Sequence, residues 1–324
     1  MPKFIEQILQ RPEFEKQPPV LVDIGASGKI HSWWKPLAPF SICIAFDADK
    51  RDFEYIQKQQ KKYKKLHIFN QLVADFTTSQ VPFYLTQSPH CSSLLEPNLE
   101  SLQGTFYVDK FRVERIVQLP TIALQQALNE LNLEYIDAFK TDSQGIDLRL
   151  FKNISPAIRS KILVAEFEPG IIDAYKNEDK LYQILAFMDA EAIFWLASCQ
   201  IKGSARIEKH ELASIFKSKF WQKIAMFAHK PMAGWAELRY FNRLQNSSHF
   251  SLRDKLLAWV MATLLQQHGF ALQIARIIQT TEPQENITSK LIKYSQKAIR
   301  WNVYQLKFYP AVWSKIKQLL GIEP

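Results

Sequence analysis

VLVDIGASGKI, residues 20–30, runs an apolar stretch into an aspartate and then two glycines three positions apart. The chain has only 9 glycines in 324 residues, so this pairing asks for a physical reason. A glycine-rich turn between a first strand and a first helix lets backbone approach a nucleotide-like ligand closely. Strand-like runs recur outward from this point, as ICIAF (42–46), LHIFNQLV (66–73), VPFYL (81–85), YIDAFK (135–140) and ILVAEF (162–167). Helix-like stretches alternate with them over 49–66, 121–131, 146–154 and 178–188. Two late strands, EAIFWLASC (191–199) and GWAELRYF (234–241), finish the series. Strand–helix alternation at this spacing predicts an α/β fold with a mostly parallel, doubly wound sheet.

The character changes beyond Asn246. SLRD (251–254) has capping-box spacing, and Leu252, Leu256, Leu257, Val260, Leu264 and Leu265 follow at helical period. Val312, Ile316, Leu319 and Leu320 repeat that pattern near the end. The reading therefore divides the chain into an N-terminal helix (1–17), an α/β domain (18–245) and a helical C-terminal region (246–324), with a soft break at 280–289.

A hydrophobic content of 47% supplies an ample core and excludes wholesale disorder. Cys43, Cys91 and Cys199 stand far apart without CxxC or CxxH spacing, which argues against a disulfide framework or a metal site. MPKFIEQILQRPEF at the start reads as a short amphipathic helix rather than a secretory signal. The longest apolar run, 256–265, is about half of a bilayer span. These features lead us to expect a cytoplasmic protein. The net charge of +9 suggests an anionic partner or surface, although much of the excess lies in KQQKKYKKL (58–66), which reads as a solvated helix face.

Three ligand classes compete for the first turn. A P-loop needs GxxxxGK followed by Ser or Thr, and Gly25 and Gly28-Lys29-Ile30 have the wrong gap and no hydroxyl. A dinucleotide site wants GxGxxG, and Asp23 at the strand end would repel a pyrophosphate. A cationic ligand reverses that objection, and S-adenosylmethionine carries an ammonium and a sulfonium that Asp23 could face. Asp47 closes the second strand 22 positions after Gly25, the spacing at which a carboxylate takes ribose hydroxyls, with Asp49 as a fallback.

Ligands in open α/β sheets lie beyond the carboxyl ends of the strands, so the reacting groups should follow the later strands. AFKTDSQGIDL (138–148) places Lys140, Asp142, Gln144, Gly145 and Asp147 at such an end. Asp142 is the residue expected to act as base or to orient the acceptor; capping the next helix is its competing role. Glu166, Glu168 and the loop residue His90 are secondary candidates.

VDIGASG, IAFDAD, LVAD (72–75), CSSLLEPN (91–98) and FKTDSQGIDL, in that order, resemble the FkbM family of S-adenosylmethionine-dependent methyltransferases. The likeness covers roughly residues 18–200. It implies a Rossmann-like methyltransferase fold and transfer to a hydroxyl oxygen, often of a sugar, glycan or secondary metabolite. On the matching positions it implies a cofactor site from Asp23, Gly25, Ser27, Gly28, Asp47, Asp75 and Gln144, with Asp142 as the catalytic group. Lys29 and Ala48 depart from the family's pattern, and Asp47 stands where relatives commonly carry Glu.

Two other function classes stay open. The basic, aromatic-studded segment 290–320 suits peripheral membrane contact or a non-catalytic assembly role. The positive charge alone prompts a nucleic-acid methyltransferase, but TDSQG is not the Asn/Asp-Pro-Pro-aromatic turn of base amino-methylation. The acceptor pocket is expected from loops 86–118 and 200–235, and a homo-oligomer stays open.

Overall fold

The computed structural model describes residues 3–25, 31–46, 48, 62–245, 247–303 and 308–319. The chain divides into two compact units, one of residues 12–243 and the other of residues 1–11 with 244–324.

The larger unit is built on a seven-stranded sheet. Its strands are β1 (Val20–Ile24), β2 (Ile42–Phe46), β3 (Lys65–Phe69), β7 (Ala138–Thr141), β8 (Val164–Phe167), β9 (Phe194–Lys202) and β10 (Trp235–Asn242). They lie in the order β3-β2-β1-β7-β8-β10-β9. Every neighbour from β3 to β8 pairs in parallel, and β10 alone runs antiparallel, between β8 and β9. The order reverses at β1, which leaves a crevice at its carboxyl end. This is the Rossmann-like methyltransferase fold, and the helical C-terminal part is present as well.

A second sheet holds β4 (Leu72–Ala74), β6 (Val113–Ala123) and β5 (Thr78–Thr86), in the order β4-β6-β5. Two expectations change here. The run 66–73 is not one strand: it is interrupted at Asn70 and Gln71, where the chain passes from the main sheet into the small one. Residues 121–123, expected to open a helix, instead close β6, and the helix begins at Leu124. Thr121 and Ile122 are β-branched and pair with Leu72 and Val73, so strand pairing wins over the helical period. The expected helix over 49–66 lies mostly outside the described residues.

The period-two alternation of β1 decides what the two faces of the main sheet hold. Val20, Val22 and Ile24 enter one core with Phe139, Phe151 and Phe167. Phe151, on the helix Asp147–Asn153, is the hub of that core, with its ring 5.3 Å from Phe139 and 5.1 Å from Phe167. Leu21 and Asp23 face the other side.

The smaller unit packs helices around Trp259, which is fully buried. Its indole N–H donates to Ser295 Oγ at 3.0 Å, and Phe4 meets the ring edge-on at 5.8 Å. The expected capping box is formed, with Asp254 N donating to Ser251 Oγ and Ser251 N to Asp254 Oδ2. No described helix is long and apolar enough to cross a membrane.

Candidate active site

Gly25 ends β1 with φ of +75°, and its N–H donates to the Phe46 carbonyl at 3.1 Å. A Cβ built there would lie 2.1 Å from the Asp142 carbonyl oxygen. The close approach of the first turn to the end of β7 therefore requires glycine on two grounds, backbone conformation and space. The Asp142 N–H completes the junction by donating to the Ile24 carbonyl at 3.0 Å.

Two cavities open beside this junction. The first is a cleft over the carboxyl ends of β1, β2 and β7, walled by Ile24, Gly25, Phe46, Leu72 and Phe83. The second, of about 320 Å³, lies between loop 88–111 and residues 168–178, 204 and 232–235. His90, Asp142 and Gln144 line both, so the two spaces meet at these three side chains. Residues of both segments from which the acceptor pocket is expected, 86–118 and 200–235, line this second cavity.

Gln144 adopts φ of +57° and donates through Nε2 to Asp142 Oδ1 at 2.5 Å. Its backbone carbonyl accepts from Ser93 Oγ at 2.7 Å, and its Oε1 lies 2.8 Å from the buried Tyr175 hydroxyl. Tyr175 also lies within hydrogen-bond distance of the Cys91 carbonyl, at 2.9 Å. Asp142 is thus clamped by a neighbour that is itself clamped. Burial raises its pKa; Lys140 and the Gln144 hydrogen bond oppose that rise, and Asp23 adds to it.

Asp147 organises the floor from below. Its Oδ1 accepts from Thr141 Oγ1, Ser143 N and Ser143 Oγ at 3.0, 3.0 and 2.5 Å, and its Oδ2 from Glu168 N at 2.8 Å. One buried carboxylate ties the end of β7 to the end of β8. Burial pushes its pKa up to about 6 against the pull of those donors. Replacing Asp147 by Ala strands these donors, and urea unfolding should show a loss of about 3 kcal/mol or more.

Glu168 follows β8 and lines the wider cavity. Among the described residues its carboxylate makes no hydrogen bond or ion pair, while its N–H is held by Asp147. Burial first, then the charges of Asp142 and Asp147, push its pKa up to about 8, with Lys140 opposing.

Asp23 is placed differently from its expected orientation toward a cleft. It is fully buried and outside the lining of either of these two cavities, and Oδ1 is ion-paired with Lys140 Nζ at 3.1 Å. Its Oδ2 has no hydrogen-bond partner among the described residues. Strand register carries this pair into a row of alternating charge across four strands, from Asp23 to Lys140, Glu166 and Arg239. Glu166 accepts from Arg239 Nε and from Trp33 Nε1, the latter at 2.9 Å. Burial works against the Lys140 ammonium, but Asp23, Asp142 and Glu166 outweigh it and hold its pKa above the usual range. Glu166 therefore belongs to this row and not to the junction; with Lys140, Arg239 and His31 it lines a third cavity.

Asp75 is exposed, and its carbonyl accepts from Asn153 Nδ2 at 3.0 Å; its neighbours Leu72 and Val73 line the first cleft in its place. Ser27, Gly28, Lys29, Asp47 and Asp49 lie outside the described residues. Tyr175, Tyr107 and Trp235 in the wider cavity carried no sequence signal, because each reaches the site from a separate loop or strand start.

No family model matches the chain, and no curated protein matches it. Among solved structures it is similar to a precorrin-6y C5,15-methyltransferase from Geobacter metallireducens, at 10% identity and a TM-score of 0.34, over 74% of this chain and 88% of that one. It is also similar to the StiE O-MT domain, at 10% identity and a TM-score of 0.32, over 82% of this chain and 80% of that one. Likenesses this distant carry no argument about chemistry, which has to come from the site.

Proposed function

We propose that this chain is an S-adenosylmethionine-dependent methyltransferase of FkbM type that acts on a hydroxyl oxygen of a sugar, glycan or secondary metabolite. The observation that carries the reading is the meeting of two cavities at His90, Asp142 and Gln144, one of them set on the first turn of the sheet. The residues of the first cleft fit the cofactor. Gly25 brings bare backbone to the cleft, and Ile24, Phe46, Leu72 and Phe83 offer an apolar wall for an adenine. Gln144 and Asp142 stand at the polar end, and Ser27, Gly28 and Asp47, outside the described residues, are left to complete the set that the family resemblance implies. When bound, the cofactor supplies an electrophilic methyl group.

The chain's own residues have two tasks in this reading. Asp142, immobilised by Gln144, orients the acceptor hydroxyl at the junction of the two spaces. Glu168, on the acceptor side and without a competing partner among the described residues, takes the hydroxyl proton. Calorimetry should show S-adenosylmethionine or its demethylated product binding in the micromolar range, weakened in Asp47→Ala. Absence of binding to the unaltered protein would sink the reading.

A further inference from the structure

Between Glu211 and Glu237 the chain carries Lys217, Lys219, Lys223 and Lys230 and not one acidic residue. This stretch forms an excursion between β9 and β10 with a pinched base. Met232 N donates to the Ser204 carbonyl at 2.9 Å and Gly234 N to the Lys202 carbonyl at 2.8 Å. A Cβ on Gly203 would lie 1.7 Å from the Met232 carbonyl oxygen, so the neck closes tightly. Ser204, Met232, Gly234 and Trp235 line the wider cavity, and the excursion therefore stands on that cavity's wall.

The helix Lys219–Ala228 at its far end is almost uncovered. Ala225 is its only residue described as buried, whereas Phe220 is 63% exposed, Trp221 54% and Ile224 39%. Phe220 and Ile224 are four apart and Trp221 and Ile224 three apart, so the three share one face of the helix. Lys219 and Lys223, also four apart, run along its flank. Ile215, 61% exposed at the end of the preceding helix, adds a fourth apolar side chain. A soluble surface gains nothing from such a face, whereas an interfacial helix is built in this way, with aromatics for the acyl boundary and lysines for anionic headgroups.

We infer that the helix Lys219–Ala228 docks this protein on the surface of an anionic lipid bilayer. The charge pattern selects the occupant, because a bilayer carrying negative headgroups answers four lysines and no carboxylate together with the exposed aromatics. The contact is distinct from the basic segment 290–320, and it stands whether or not methyl transfer is the chemistry of the cavity.

The experiment is co-sedimentation of the full chain with vesicles of phosphatidylcholine alone and of phosphatidylcholine with phosphatidylglycerol. The unaltered protein should pellet with the anionic vesicles and not with the neutral ones, and added salt should weaken the binding. The Phe220→Ser/Trp221→Ser and Lys219→Glu/Lys223→Glu double variants should each lose roughly tenfold or more in vesicle binding. Both pairs are exposed, and unchanged circular dichroism would confirm folding. Equal binding to both vesicle types, or binding by the double variants like that of the unaltered chain, would overturn the inference. So would sedimentation velocity showing a dimer that the aromatic double variant dissolves, since the face would then belong to a second copy.

Discussion

Gly25→Ala should unfold this protein more readily and, on the function proposed above, abolish S-adenosylmethionine binding in one step. At φ of +75° an alanine is strained, which costs on the order of 1 kcal/mol or more. Its methyl would also sit 2.1 Å from the Asp142 carbonyl, and neither the end of β1 nor that of β7 can give without breaking the bond from Asp142 N to the Ile24 carbonyl. Overpacking of this kind costs about 1–3 kcal/mol more. Urea unfolding of the variant should show the sum, about 2–4 kcal/mol. Calorimetry under conditions where the variant is still folded should show no S-adenosylmethionine binding. A folded variant that binds as well as the unaltered chain would detach the first turn from the cofactor.

Glu168→Gln tests the proton path. With a pKa of about 8, this carboxyl is protonated at neutral pH, and only its ionised form can accept a proton. On a hydroxylated acceptor returned by a methylation screen, kcat/KM should rise by about tenfold per pH unit up to about 8 and then level off. The Gln variant should lose roughly 10²–10⁴ in rate and lose that rise as well. Stability supplies a readout that needs no acceptor. An unfolded glutamate titrates near 4.3, so between that pH and about 8 the folded chain holds a proton that the unfolded chain releases. Stability from this group therefore falls as pH rises through the window, and the Gln variant should show a flatter profile in urea unfolding. A rate profile unchanged by the substitution would return the proton to Asp142.

Asp142 and Glu168 differ because of their partners. Gln144 holds Asp142 at 2.5 Å, whereas among the described residues only the Glu168 backbone is held, by Asp147. A fixed carboxylate suits orientation, and one without a competing partner suits proton transfer. The distinction is invisible in a linear reading, where both are acids following a strand.

The α/β alternation and the helical C-terminal region were legible in the linear sequence, as was the glycine at the end of the first strand. Those signals are local: strands of period two, a capping box over 251–254, and a glycine pair after an apolar run. Tertiary structure decided what needed distant partners. Asp23 and Lys140 are 117 residues apart, and only the β1–β7 register makes them a pair. Glu166 joins Arg239 across 73 residues, which takes it from the acceptor side into the charged row. The small sheet takes Leu72–Ala74 and Thr121–Ala123 away from the elements their local pattern suggests, because parallel pairing between them is worth more than either segment's own preference. The strand-then-glycine pattern of VLVDIGASGKI is legible on its own, but that Gly25 must be bare because Asp142 lies against it is a fact of the folded sheet.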